Sequence, residues 1–243
     1  MMIASTMRAY RPCRAFAMTT RASDTTTIRP AVKYAAKSAN QAAYINMLES
    51  AASSVVVAHG PAGTGKTKLA VEVGLWKLMR RDVDKLVLTR PAVPVDDEQH
   101  GFLPGSLNDK MRPWLLPVMD AVEDAGLALS SLILAGRIEI APLAYMRGRT
   151  FKRSWIIVDE AQNCTSGQML MLLTRIGENS KIVVNGDVTQ HDRESDGLTD
   201  LVQRIEAAPP SLRTNIDLVE LTAEDVQRSA VVKDVLRLYE TNC

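Results

Sequence analysis

The segment 60–67 constrains the fold of this chain more than any other part of its sequence. It reads GPAGTGKT and matches the pattern G-x-x-x-x-G-K-[ST]. An apolar predicted strand, 54–58, leads into it, and a predicted helix with Leu69, Val73 and Trp76 on one face follows it. A strand, a glycine-rich loop and a helix in this order surround phosphate oxygens with backbone N–H groups. The alternative is a glycine-rich turn before an ordinary helix, and the flanking pattern argues against it.

The residue types in this loop suit nucleotide chemistry. Lys66 is expected to reach the β- and γ-phosphates, and the hydroxyl of Thr67 to hold Mg²⁺. We therefore predict a nucleoside triphosphate with Mg²⁺ as the ligand of this loop. The predicted nucleotide-binding residues are Gly60, Pro61, Ala62, Gly63, Thr64, Gly65, Lys66 and Thr67.

Another predicted strand, 155–158, ends in two adjacent carboxylates, Asp159 and Glu160. In open α/β sheets, ligands bind at the carboxyl ends of the strands. Asp159 is expected to lie in the outer shell of the Mg²⁺ ion that Thr67 holds, and Glu160 is expected to act as the general base that activates water. The alternative is that both acids cap a helix N-terminus.

Polar residues also follow a third apolar predicted strand. The predicted strand 181–185 is followed by the letters GDVTQ, which place Gln190 where it could sense the γ-phosphate or orient water. An ordinary polar loop is the alternative. We include Gln190, with Lys66 and Glu160, among the predicted catalytic residues.

Short apolar runs alternate with helical patterns from residue 30 onward, which is typical of parallel α/β construction. The runs are rich in β-branched residues and leucine, as expected for strands buried on both faces. We predict one domain, 30–243, with a mostly parallel central sheet between two layers of helices. Predicted strands cover 54–58, 85–89, 137–141, 155–158, 181–185 and 216–221, and predicted helices 66–80, 107–124, 166–176, 198–207 and 229–240.

Residues 1–29 do not have the composition of a folded segment. They contain five arginines, eight Ser or Thr and one acid, Asp24. This composition is typical of an organelle transit peptide. We expect import into an organelle, a chloroplast rather than a mitochondrion. The alternatives are a disordered N-terminal arm and a cytoplasmic protein.

Composition excludes several other classes of protein. The 243 residues are 46% hydrophobic and 23% charged, which suits a domain with its own core. No apolar run approaches the roughly 18 to 20 residues of a membrane-spanning helix. The three cysteines are far apart, without a C-x-x-C pair, so neither a zinc site nor a redox motif is indicated. The net charge of +1 indicates no bulk nucleic-acid surface.

Several motifs together resemble the PhoH-like ATPases, which are related to the first motor domain of superfamily 1 helicases. The resemblance runs from about residue 40 to the C-terminus. It implies a RecA-like P-loop fold, ATP hydrolysis linked to RNA or single-stranded nucleic acid, and often ring-like self-assembly. It also implies that Gln41 reads the adenine edge. The motifs are GPAGTGKT, TRPAV, GFLPGSLNDKMRPWLLPVMD, AYMRGRTF, IIVDEAQN, LTRIG and NGDVTQHD.

Two residues depart from the family pattern. Ser106 stands where the family usually has Asp, and Trp114 where it usually has Tyr. Both lie in the loop 101–120, so they bear on the role of that loop and not on the nucleotide site.

Helicase motors of this class normally receive an arginine at the nucleotide site from a second motor domain, for which the chain after residue 186 is too short. We expect the arginine to come from the same chain or from a neighbouring subunit, and the chain to form a homo-oligomer. Arg228 is the first candidate, and Arg147 and Arg149 are the runners-up. The alternative for Arg228 is a solvated surface side chain.

Four cations fall within residues 147–153, beside two aromatic side chains. Such a cluster could follow a phosphate backbone while an aromatic ring stacks on a base. It could also be a solvated loop whose aromatic rings belong to the core. The cations are Arg147, Arg149, Lys152 and Arg153, and the aromatic residues are Tyr145 and Phe151.

Two other functions for a phosphate-binding loop remain open. One is a kinase for a small metabolite, and the other is a nucleotide-binding adaptor without turnover. Glu160 and Gln162 argue against a kinase, which would need a substrate pocket and an arginine-bearing lid. An adaptor would usually have lost Lys66 or Glu160, and both are present.

Overall fold

A computed structural model of the chain describes residues 34–91, 116, 118–190 and 197–227. Within these ranges six strands form one parallel sheet in the order β3-β2-β4-β5-β1-β6. Every predicted strand is confirmed, with each end within one residue of its predicted position. The strands are β1 (Val55–His59), β2 (Lys85–Thr89), β3 (Ile138–Ile140), β4 (Ser154–Val158), β5 (Lys181–Gly186) and β6 (Ile216–Glu220).

The helices agree with the sequence in part. Three predicted helices are present, and the predicted helix 166–176 ends at Leu173 because Ile176 pairs with Phe151 as an isolated bridge. Residues 118–124 of the predicted helix 107–124 are helical. Two helices, α1 and α3, were not predicted from sequence. The labelled helices are α1 (Ala39–Glu49), α2 (Lys66–Met79), α3 (Leu129–Leu134), α4 (Ser166–Leu173) and α5 (Gly197–Ala207).

Some predictions fall outside the described residues. These are the transit peptide at 1–29, the helix at 229–240, Arg228, and the departures at Ser106 and Trp114.

The core lies on both faces of the sheet, because strand residues alternate between them. Trp155 and Ile157 of β4 pack with α1 and α2 on one face. Ile156 and Val158 of the same strand pack with α4 and α5 on the other. The predicted three-layer α/β fold is therefore confirmed.

The indole of Trp155 fixes α2 against the sheet. Its Nε1 donates to the carbonyl oxygen of Ala70 at 3.0 Å. A Cβ atom at Gly74 would lie 2.4 Å from the ring, so this helix position has no room for a side chain. Because α2 begins at Lys66, this contact also positions the start of the helix at the carboxyl edge of the sheet.

Lys181 supports the end of α1 from the opposite edge of the sheet. Its Nζ donates to the carbonyl oxygens of Met47, Leu48 and Ser50 at 2.8, 2.9 and 2.7 Å. The last carbonyls of a helix have no partner within the helix. A buried lysine of β5 therefore replaces the solvent or capping groups that would otherwise bind them.

We expect Lys181→Met to lower the free energy of unfolding by about 1 to 3 kcal/mol, because the helix carbonyls lose a charged donor. Burial lowers the pKa of Lys181 to about 8, so the comparison belongs near pH 6, where the ammonium is protonated. Urea denaturation measures the change, with Lys152→Met, at an exposed lysine, as the control. Equal stabilities of the two variants would contradict the capping role.

Candidate nucleotide site at the carboxyl edge of the sheet

The sheet order brings three polar strand ends together. β5 lies between β1 and β4, and all three strands are parallel. The loop 60–67 after β1, the carboxylates after β4 and the polar residues after β5 therefore share one edge. They line a cavity of about 380 Å³.

Gly60 is the tightest point of the loop. Its φ of +137° lies in the region that favours glycine, and a Cβ atom there would fall 1.8 Å from the carbonyl oxygen of Leu221. The chain leaving β6 thus passes directly against the loop, and Leu221 N donates to His59 O at 2.8 Å. No side chain can replace the hydrogen of Gly60 without moving this backbone.

The ammonium of Lys66 lies against its own loop. Nζ donates to the carbonyl oxygens of Gly60 and Pro61 at 2.5 and 2.8 Å. Burial lowers the pKa of Lys66, while the carboxylates of Asp187, Asp159 and Glu160 act in the opposite direction. To bind a phosphate, Nζ must exchange these carbonyls for phosphate oxygens, which are stronger acceptors.

Thr67 and Asp159 meet at the start of α2. Thr67 Oγ1 donates to Asp159 Oδ1 at 2.6 Å. Burial raises the pKa of Asp159, and the Thr67 hydrogen bond and the charge of Arg90 oppose that rise. An adjacent hydroxyl and carboxylate suit Mg²⁺, which prefers oxygen ligands and is usually held by few protein groups plus phosphates and water. Among the described residues, no cluster of three or more His, Cys, Asp or Glu forms a metal cage.

The carboxylate of Glu160 has a partner on each oxygen. Oε1 accepts from Arg90 Nη2 at 2.5 Å, and Oε2 accepts from Gln162 Nε2 at 2.7 Å. Glu160 lines the cavity, whereas Arg90 does not. No role for Arg90 was predicted from the sequence. The sequence feature that could have identified Arg90 as a site residue is its position directly after β2, at the edge where the other strands end.

Asp187 is a third carboxylate of the site, and no role for it was predicted from the sequence. It is buried, and its Oδ1 accepts from the N and Oγ1 of Thr189 at 3.0 and 2.7 Å. Its Oδ2 has no hydrogen-bond partner within the described part of the chain. Gln190 is exposed and lines the same cavity. The structure thus places Gln190 at the site, and its role there stays a prediction.

Gln41 lies on α1 behind the loop, with both ends of its amide occupied. Nε2 donates to the carbonyl oxygen of Thr64 at 2.9 Å, and Oε1 accepts from the backbone N–H of Lys37 at 2.8 Å. Gln41 therefore supports the phosphate loop. An adenine contact would require the amide to leave one of these partners, and that role stays a prediction.

The backbone after β6 also reaches the phosphate loop. The N–H of Gln227 donates to the carbonyl oxygen of Gly63 at 3.1 Å. Two residues earlier, Asp225 accepts from Asn40 Nδ2 of α1 at 2.9 Å. These contacts hold the residue just before Arg228 against the loop, while Arg228 itself lies outside the described residues.

The four cations at 147–153 do not form a continuous patch. Arg149 makes two bonds to the carboxylate of Glu139, at 2.6 and 3.0 Å, and these bonds, together with the ion pair of Glu139 with Lys85, lower the pKa of Glu139 to about 2. Arg153 binds Asp84 at 2.8 and 3.1 Å. Within the described residues, no ion pair involves Arg147 or Lys152.

The two aromatic residues beside these cations also differ. Phe151 belongs to the core, whereas the Tyr145 side chain is 62% exposed. Phe151 therefore lies in the core, as the alternative expects, whereas Tyr145 does not. Neither runner-up arginine, Arg147 or Arg149, lines the nucleotide cavity.

The fold and the loop define a protein of the P-loop NTPase class. The chain belongs to the PhoH-like protein family, whose pattern matches residues 33–240. The PhoH-like protein of Mycobacterium tuberculosis strain H37Rv is 42% identical over 215 residues, covering 88% of this chain and 58% of that protein. Protein PhoH of Escherichia coli K12 is 39% identical over 211 residues, covering 84% and 57%. The chain thus spans less than two thirds of these relatives.

Solved structures show the same fold in more distant proteins. The large terminase of a thermophilic bacteriophage superposes with a TM-score of 0.56 at 11% identity, covering 82% of this chain and 49% of the terminase. The same terminase in complex with ADP gives a TM-score of 0.53, also at 11% identity over 82% and 49% of the two chains. At these identities the likeness concerns the fold alone. None of the described helices is long and apolar enough to cross a membrane.

Proposed function

We propose that this chain binds ATP with Mg²⁺ and hydrolyses its γ-phosphate. The observation that carries the proposal is that Lys66, the Thr67–Asp159 pair and Glu160 all line one cavity. A phosphate cradle, a pair of oxygen ligands for Mg²⁺ and a carboxylate base are the parts that phosphoryl transfer to water requires.

Each of these groups has a separate task in the proposed reaction. Lys66 and the loop N–H groups bind the phosphates, and Thr67 and Asp159 hold Mg²⁺, which supplies neutralising charge to the phosphates. Glu160 accepts a proton from the attacking water. The water oxygen forms a bond to the γ-phosphorus as the bond to the leaving ADP oxygen breaks. Gln190 is proposed to orient this water from the mouth of β5.

The same geometry favours hydrolysis over the other two functions. A kinase would have to admit a substrate hydroxyl where Glu160 and Gln162 are joined by a hydrogen bond. A non-hydrolysing adaptor would not need a base beside the Mg²⁺ ligands.

We further propose that hydrolysis is coupled to single-stranded RNA or other single-stranded nucleic acid. A second cavity, of about 560 Å³, lies between the loop after β3 and the start of α4, and none of the described residues that line it is a carboxylate. Arg147 lines it, and the exposed ring of Tyr145 lies two residues away in the same loop. An arginine can bind phosphate and an aromatic ring can stack on a base. Thr165 lies on the opposite wall of this cavity, five residues after Glu160. A short stretch of chain therefore connects this surface to the proposed base.

We expect poly-uridine RNA to increase ATP turnover. Tyr145→Ala should reduce this increase several-fold, because one stacking contact is worth about 1 to 3 kcal/mol. The same variant should leave turnover without RNA unchanged. Leu212→Ala is the matched control. Leu212 is 71% exposed and lies, like Tyr145, in a short 3-10 helix, but beside β6 at the other edge of the sheet.

The steady-state rate of phosphate release, with and without RNA, tests both parts of the proposal. Absence of turnover under both conditions would contradict ATP hydrolysis. Turnover that RNA does not change would contradict the coupling alone. An equal loss of stimulation in Leu212→Ala would contradict the assignment of the surface.

Two further expectations also stand as proposals. One is self-association into a homo-oligomer. The other is import into an organelle, a chloroplast rather than a mitochondrion, directed by residues 1–29, with a cytoplasmic location as the alternative. Self-association rests on the family resemblance and on the need for an arginine at the site, and import rests on the composition of residues 1–29.

A further inference from the structure

The side chain of Glu160 is held in place by Arg90 after β2 and by Gln162, which is itself bound to the end of β5. Arg90, directly after β2, binds Oε1. Gln162 binds Oε2, and its own Oε1 accepts from the backbone N–H of Asp187 after β5 at 3.2 Å. A carboxylate bound through both oxygens has a fixed plane, and its remaining lone pairs point in fixed directions.

The sheet register accounts for the Arg90 contact. Thr89 and Val158 are paired across β2 and β4, and Asp159 N donates to Thr89 O at 3.0 Å. Arg90 and Glu160 therefore leave neighbouring strands almost side by side. Their ion pair spans the gap between the strands where the sheet hydrogen bonds end.

The backbone of Glu160 gives a reason for this support. Its φ of +52° lies in the left-handed region, which is uncommon for a residue with a side chain. Such a conformation costs on the order of 1 to 3 kcal/mol and persists where the surroundings hold it. Glu160 is also partly exposed, so packing alone does not fix its carboxylate.

Arg90 contacts Glu160 and does not itself line the nucleotide cavity. Among the described residues that line the cavity, none is an arginine. Gln162 is buried and tied to β5, whereas the Arg90 side chain is 29% exposed. Loss of Arg90 would thus free one side of the carboxylate without altering the phosphate loop.

We propose that Arg90 is a positioning residue that orients the Glu160 carboxylate toward the attacking water. This inference rests on the proposed ATP hydrolysis. It predicts that Arg90→Ala in the full chain lowers kcat by about 10- to 100-fold, the size expected when a reacting group is misplaced. KM and the Kd for a fluorescent ADP analogue should stay within about twofold of wild type, because the phosphate cradle is intact.

Arg153→Ala is the matched control, because Arg153 and Asp84 form an ion pair between the same two strands at their other ends. If Arg90 only joined β2 to β4, both variants would lower turnover and stability equally. We expect kcat to fall in Arg90→Ala alone. Arg90→Lys should recover part of the loss, because an ammonium restores the charge but not the planar fork.

Four outcomes would overturn the inference while wild type remains active. They are unchanged kcat in Arg90→Ala, an equal fall in Arg153→Ala, a loss of nucleotide affinity as large as the loss of kcat, and no recovery in Arg90→Lys. An inactive wild type, with or without RNA, would instead contradict the proposed function, so the two failures are distinguishable.

Discussion

Lys66→Ala is expected to weaken ATP binding by about 10- to 150-fold. Glu160→Gln should retain binding and lose turnover by about 10² to 10⁴-fold. The first variant removes a buried cation that phosphate oxygens would bind, worth about 1.5 to 3 kcal/mol in charge-assisted hydrogen bonds. The second retains the shape of the side chain but removes the base, and general-base catalysis contributes a factor of this size.

Equilibrium binding of a fluorescent ATP analogue and single-turnover phosphate release separate the two effects. Lys77→Ala is a suitable control, because Lys77 lies in the last turn of the same helix, α2. Glu160→Gln is informative in a second way, since the amide can still accept a hydrogen bond from Arg90. Equal loss of binding in the Lys66 and Glu160 variants would contradict the assigned roles.

Arg228→Ala is expected to lower turnover by about 10³-fold or more with little loss of ATP binding. An arginine that stabilises the transferring phosphoryl group contributes about 10³ to 10⁵ in rate in P-loop enzymes. The described residues that line the cavity include the cations Lys66 and Lys68 but no arginine. Gln227, the residue before Arg228, makes a backbone contact with Gly63 in the phosphate loop of the same chain. This contact favours Arg228 acting on the nucleotide bound by its own subunit.

A mixing experiment tests this arrangement. Lys66→Ala subunits cannot bind ATP tightly but retain Arg228, and Arg228→Ala subunits retain the cradle. If the arginine acts within its own chain, the mixture stays inactive. Recovery of turnover on mixing, with light scattering showing assembly, would contradict this and assign Arg228 to the site of a neighbouring subunit. Arg204→Ala is the control, because Arg204 is an exposed arginine paired with Asp200 on α5.

The sequence determined the strands and the phosphate loop because their signals are local. Buried strands are short apolar runs, and the loop has a specific pattern directly after one of them. The carboxylates Asp159 and Glu160 were recognisable for the same reason, as polar residues at the end of an apolar strand. α1 was missed because its buried positions include Gln41, whose burial depends on a partner in the loop 60–67.

Only the tertiary structure decided which of these strand ends meet. Parallel strands are joined by long crossovers, so their order in the chain does not give their order in the sheet. The position of β5 between β4 and β1 brought Asp187 to the site, and the pairing of β2 with β4 placed Arg90 on Glu160. A long-range contact likewise decided the surroundings of the cations at 147–153, because Asp84, 69 residues away, pairs with Arg153. Residue types and local spacing do not encode such contacts, which arise from strand register.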